Sequence, residues 1–110
     1  MLPLIDTHQH LWDLSRLELP WTGGIPQLNR SFLMSDYLQA SEGQKVSKTV
    51  YMEVDAHPDH RQREVEIIIE ICSDESNPMQ AAVFCAEPGG VDFETFIENN
   101  QNNPWIRGLR

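Results

Sequence analysis

Residues Ile5–Asp13 read IDTHQHLWD. With Leu4 in front, the stretch alternates at period two: Leu4, Asp6, His8 and His10 share one face and Ile5 and Thr7 the other, which predicts a strand running into a loop. The turn that follows is equally informative. A doubly wound nucleotide-binding sheet carries glycines in its first strand-to-helix turn, whereas this chain offers HQHLWD there.

Residues 11–34 hold Trp12, Pro20, Trp21, Gly23, Gly24 and Pro26 without a sustained period and predict a long loop, kept ordered by Trp12, Trp21 and Phe32. SDYLQASEG predicts a short helix capped by Ser35 and ending near Gly43. KTVYMEV predicts a second strand, rich in β-branched residues. In PDHRQREVEIIIEIC, Val65, Ile68, Ile69 and Cys72 recur at i, i+3, i+4 and i+7, predicting an amphipathic helix with its acids and arginines away from the buried stripe. QAAVFCAE predicts a strand covered on both faces. VDFETFIENN predicts a helix capped by Asp92 with Phe93, Phe96 and Ile97 on one side, and WIRGLR starts a fourth strand.

Strands alternating with helices call for a parallel sheet with the helices packed outside. Without a glycine-rich first turn, the expected fold class is α/β: the N-terminal part of a TIM (β/α)8 barrel, with about four parallel strands and three helices. A full barrel takes about 250 residues, against 110 here. The expectation is therefore that residues 1–110 form the N-terminal segment of one barrel domain, within a longer protein or as a homo-oligomer that covers its open strand edges.

Charge narrows the partners. There are 17 acidic residues against 8 basic ones, a net charge of −9, and no run of Lys or Arg that could follow a phosphate backbone, which argues against nucleic acid. No apolar run approaches the length of a bilayer span, and the N-terminus lacks the layout of a signal peptide. A cytoplasmic protein with a small-molecule substrate and no membrane partner is expected. Cys72 and Cys85, spaced as neither a zinc knuckle nor a redox pair, are expected to be reduced thiols in apolar surroundings.

The strand repeat points both imidazoles of His8 and His10 the same way, at the strand end where barrel active sites form. Two neutral imidazoles on one face begin a divalent metal site, zinc being preferred by nitrogen-rich ligands. They are not a complete one: H-x-H alone is a weak motif, and a catalytic zinc needs a further protein ligand. Glu53 ends the second strand and Glu87 the third. A carboxylate at Glu53 could orient a ligand histidine, bind metal, hold a substrate hydroxyl, or simply be solvated. Asp6 reads as structural, bonding nearby backbone amides, and Asp13 as the cap of the turn after the histidines. His57 and His60, beside Pro58 and Asp59, read as a helix-start cluster rather than a metal module. Arg107 and Arg110 flank Gly108, and Arg110 at the strand end could bind a substrate carboxylate bidentately.

Taken in order, IDTHQHLWDLSRLELPW, VYMEV and IRGLR resemble the amidohydrolase-related (amidohydrolase 2) family of barrel hydrolases, in particular its branch of sugar-lactone and 2-pyrone-4,6-dicarboxylate lactonases. The resemblance covers essentially the whole chain, with DTHQHLWD followed by PW its most specific part. It implies a (β/α)8 barrel that opens lactone or amide bonds with activated water. His8 and His10 match the histidines that end the first strand and usually bind a divalent metal; Arg110 matches a substrate contact and Glu53 a position near the mouth. The family's later ligand histidines and its aspartate base match no position in these 110 residues. In the lactonase branch metal use varies, so the resemblance also allows the histidines to polarise the carbonyl directly. A remnant without catalysis, pairing its open sheet edges with a partner, is the competing expectation.

Overall fold

The computed structural model describes residues 1–110. Its strands are β1 (Leu4–Gln9), β2 (Val46–Met52), β3 (Met79–Phe84) and β4 (Ile106–Leu109), and its helices α1 (Met34–Ala40), α2 (Arg61–Ser73) and α3 (Phe93–Asn100). All neighbouring strands pair in parallel, in the order β1-β2-β3-β4. That order separates the two architectures open to an alternating chain. A doubly wound sheet reverses direction at a switch point, while a barrel adds each strand beside the last. This sheet follows the barrel rule, as the turn after β1 predicts.

The strand ends differ from the sequence expectation at β2. The strand stops at Met52, so Glu53 and Val54 lie just beyond it. The Glu53 amide still bonds the Val83 carbonyl at 2.9 Å, but the Val54 amide donates instead to the Glu64 carboxylate at 3.1 Å, and Asp55 turns through the left-handed region at φ 51°. The cap of α1 is also corrected. Leu33 is the N-cap and Ser35 sits inside the first turn, because the Asp36 carboxylate accepts the Leu33 amide at 2.7 Å and so starts the helix earlier. Gly43 at φ 82° leads the chain out of the turn after α1, as expected of a glycine just beyond a helix.

The core lies between the sheet and α2. Tyr51, Met79, Ala82 and Phe84 point from β2 and β3 onto Val65, Ile67, Ile68 and Cys72 of the helix, with the Tyr51 and Phe84 rings 5.9 Å apart. The loop after β1 joins this core as an ordered strap. Leu11, Leu17, Leu19 and Thr22 are buried, a 3-10 turn forms at Pro20–Gly24, and Trp12 and Phe32 exchange backbone bonds of 3.0 and 2.8 Å that close the strap on itself. The indole N–H groups are satisfied as well: Trp12 donates to the Arg30 carbonyl and Trp21 to the Val54 carbonyl.

The opposite face of the sheet has no second layer. Val50, Met52, Ala81 and Val83 are half-buried there, so β3 is covered on one face rather than on both as its apolar sequence predicts. On edge strand β1, Ile5 keeps 60% of its surface exposed. No helix is long and apolar enough to cross a membrane.

Replacing Ile68 with Ala removes a fully covered side chain from the α2–sheet contact and is expected to cost about 2–5 kcal/mol. Val91→Ala, at a residue left in solvent, should stay within about 0.5 kcal/mol of the parent. Urea unfolding of the two variants checks the placement of the core.

Candidate active site

β1 positions the histidine pair. Gln9 between them is buried against the helix layer, so alternation turns His8 and His10 to the open face. Their Nε2 atoms lie 3.1 Å apart. The Nδ1 atom of His10 is 2.9 Å from the Met52 carbonyl at the end of β2. A carbonyl only accepts, so Nδ1 carries the proton and donates it, leaving the Nε2 of His10 with a free lone pair aimed at His8. Below the pair, Asp6 accepts the His8 backbone amide at 3.0 Å on Oδ1 and the Tyr37 hydroxyl at 2.8 Å on Oδ2. Asp6 is thus a structural acid, as its place in the strand predicts, and it ties α1 to the base of the site. Burial, then the Asp6 carboxylate, pushes the Tyr37 hydroxyl up to about 12.

The geometry of the pair fits two corners of a zinc site. Two nitrogens on a tetrahedral zinc at about 2.0–2.1 Å stand roughly 3.3 Å apart, close to the 3.1 Å between these Nε2 atoms. No group of three His, Cys, Asp or Glu side chains in the chain is arranged to complete it.

Glu53 and Arg110 come together. Glu53 Oε1 is 3.6 Å from the Arg110 guanidinium Nε, and Glu53 Oε2 accepts the Asp55 amide at 2.7 Å. The carboxylate side chain is 9% exposed and the arginine 54%, so a nearly buried acid holds a guanidinium whose remaining donors face solvent. Glu87 is drawn elsewhere, into a 2.6 Å ion pair with Arg61 at the start of α2. His57 and His60 serve the backbone, their Nδ1 atoms accepting the amides of Asp59 and Glu18. Asp13 caps the turn through the Ser15 amide and hydroxyl, and these bonds hold its carboxyl below the usual range. Arg107 is exposed and forms no ion pair. Both thiols are free, and burial pushes Cys72 up to about 11 and Cys85 upward as well.

Sequence reasoning missed Glu64. This acid of α2 is 1% exposed, and its Oε2 accepts both the Tyr51 hydroxyl at 2.5 Å and the Val54 amide at 3.1 Å. It thereby sets the course of residues 52–54, from which the Met52 carbonyl reaches His10 and Glu53 reaches Arg110. Its position was legible in principle: Glu64, Ile67, Ile68 and Ile71 also follow i, i+3, i+4, i+7. Burial pushes the Glu64 carboxyl above its ordinary value, against the pull of its two donors, and burial likewise pushes Tyr51 up.

A four-stranded parallel sheet in sequential order, with paired histidines at the end of its first strand, has the arrangement of the opening strands of a (β/α)8 barrel. The fold is that of the N-terminal part of an amidohydrolase barrel. The chain is similar in structure to amidohydrolase 2 from Bifidobacterium longum subsp. infantis, with a TM-score of 0.66 and 27% identity over 79% of this chain and 34% of that one. It also superposes on an amidohydrolase from Burkholderia multivorans with bound zinc, with a TM-score of 0.69 and 23% identity over 99% of this chain and 37% of that one. An uncharacterized protein of Sinorhizobium fredii, y4mH, is 30% identical over 66 residues, covering 52% of this chain and 22% of its own length. The chain thus spans under two fifths of each of these three proteins. No family model matches it.

Because the folded-state pKa of Glu64 lies above its ordinary value of 4.5, the native state holds that proton more tightly than the unfolded chain. Stability contributed by Glu64 is therefore complete below about pH 4.5 and declines as pH rises through its folded pKa. Urea unfolding from pH 4 upward should show the parent losing stability relative to Glu64→Gln along that rise; a difference that grows in the parent's favour would contradict the burial-driven shift.

Proposed function

We propose that the protein is a hydrolase that opens a lactone ring by attack of water, with these residues forming the first part of its barrel. The observation that carries this reading is the His8–His10 pair, with Nε2 atoms converging at 3.1 Å and one tautomer held by the Met52 carbonyl. Such a pair presents the edge of two imidazoles to a carbonyl oxygen, and its orientation is set before substrate arrives. His8 and His10 would hold a divalent metal, zinc by preference; when bound it supplies Lewis-acid polarisation of the carbonyl and eases deprotonation of water.

The chain's own residues do the rest. With no metal between the rings, His8 donates its Nε2 proton as a hydrogen bond to the carbonyl oxygen where negative charge gathers, beside the His10 ring that the Met52 carbonyl fixes. Arg110, held at its Nε by Glu53, turns its outer N–H groups toward a carboxylate or hydroxyl of the substrate and fixes the ring's orientation. Asp6 and Tyr37 keep β1 from shifting under the site. The similarity to the Bifidobacterium amidohydrolase supports hydrolysis in general; the lactone is our choice within that chemistry, from the resemblance of the DTHQHLWD and PW segments to lactonases. A small-molecule substrate and a cytoplasmic setting belong to the same proposal.

The test is ring opening of five- and six-membered lactones, followed by acid release, with the protein purified from its native cells and assayed with and without zinc. His8→Ala and His10→Ala should each lower kcat/KM by about a hundredfold or more, while His60→Ala, whose ring meets the Glu18 amide and Arg63 rather than the histidine pair, should not. The isolated 110-residue chain, which lacks a base placed against the attacking water, should show no turnover. Absence of ring opening by the native protein on every lactone overturns the reading.

A further inference from the structure

On the helix side of the sheet, away from the histidine pair, the strap, the start of α1 and helix α2 line a half-open cavity of about 120 Å³. Its walls include Phe32, Met34, Ile67 and Ile71, and Tyr51 and Glu64 stand at its base. The volume is close to that of a cavity which admits a single benzene ring, about 150 Å³. One polar group breaks the apolar lining. Glu64 is 1% exposed, and both of its hydrogen bonds fall on Oε2, from the Tyr51 hydroxyl and the Val54 amide. Its other oxygen, Oε1, takes part in none and is not among the fully enclosed unpaired atoms of the chain. A nearly buried carboxyl therefore borders the cavity with one oxygen unpaired and still reachable.

We propose that this cavity is a binding site for one small hydroxylated aromatic ring of phenol size, the ring lying among Phe32, Met34, Ile67 and Ile71 and its hydroxyl meeting Glu64 Oε1. Shape and chemistry favour a hydroxyl over a charged group, because a hydroxyl both donates and accepts and so pairs with Oε1 whether or not the carboxyl is ionised. A charged ligand would have to leave water for an apolar wall. The site draws on residues of the strap, α1, β2 and α2 alone, so it stands or falls independently of the hydrolase reading.

The probe is phenol itself, titrated into the 15N-labelled 110-residue chain. Saturable shifts are expected at the amides of Leu17, Ile67 and Ile71, with one site per chain and a Kd below about 5 mM. Fluorobenzene, a ring of the same size without the hydroxyl, should bind at least about tenfold more weakly. Ile71→Phe fills the cavity from its half-exposed wall and should abolish the shifts while the circular dichroism spectrum persists; Leu17→Phe serves in its place if that variant does not fold. Shifts that do not saturate by about 20 mM phenol, equal binding of fluorobenzene, or undiminished phenol binding by a folded cavity-filling variant each overturn the proposal.

Discussion

A carboxyl group with almost no access to water holds this structure in register. Glu64 projects from the first turns of α2 into the layer beneath β2 and collects the Tyr51 hydroxyl and the Val54 amide on one oxygen. Burying an acid is costly unless its lone pairs are met, and here two donors meet those of one oxygen. The bond also decides where β2 ends. Once the Val54 amide turns to the helix it no longer serves the sheet, and the chain rises out of the strand at the level where the Met52 carbonyl can reach His10. Helix packing, strand length and imidazole tautomer are thus consequences of one acceptor.

Much of the fold could be read from the chain. Period-two alternation in LIDTHQH, the β-branched KTVYM and the apolar AAVF each become a strand, and the absence of glycine after β1 distinguishes a barrel-ordered sheet from a doubly wound one. The reading slipped where two periodicities overlap. Ile67, Ile68 and Ile69 are consecutive, so the stripe on α2 can be phased on Val65 or on Glu64. Hydropathy alone chose Val65 and left the acid in solvent. The structure buries both residues and leaves Ile69 only half covered. Composition could not show this, because the preference for Glu64 comes from donors on β2 and beyond it, ten or more residues away in sequence.

The site was legible in its types more than in its contacts. Spacing put His8 and His10 on one face, and the structure brings their Nε2 atoms together. Glu53 and Arg110 were read as separate substrate contacts; across 57 positions they prove to be each other's neighbours, which no local pattern encodes. Tyr37 likewise carried no signal, since its partner Asp6 lies on another element. The strap was expected to be ordered because of its aromatics. Its order rests equally on the backbone exchange between Trp12 and Phe32, which makes it a closed loop rather than a tether.

The sequential strand order bears on how the molecule forms. Every strand of this sheet takes as its next neighbour the one that follows it in the chain, so pairing can proceed in the direction of synthesis with no strand waiting for a distant insertion. By the time β2 has emerged from a ribosome, β1 already has its partner, and the carbonyl that sets the His10 ring is in place before β3 is made. The histidine pair is thus among the earliest parts of the sheet to be assembled, and its geometry is inherited by whatever is added afterwards.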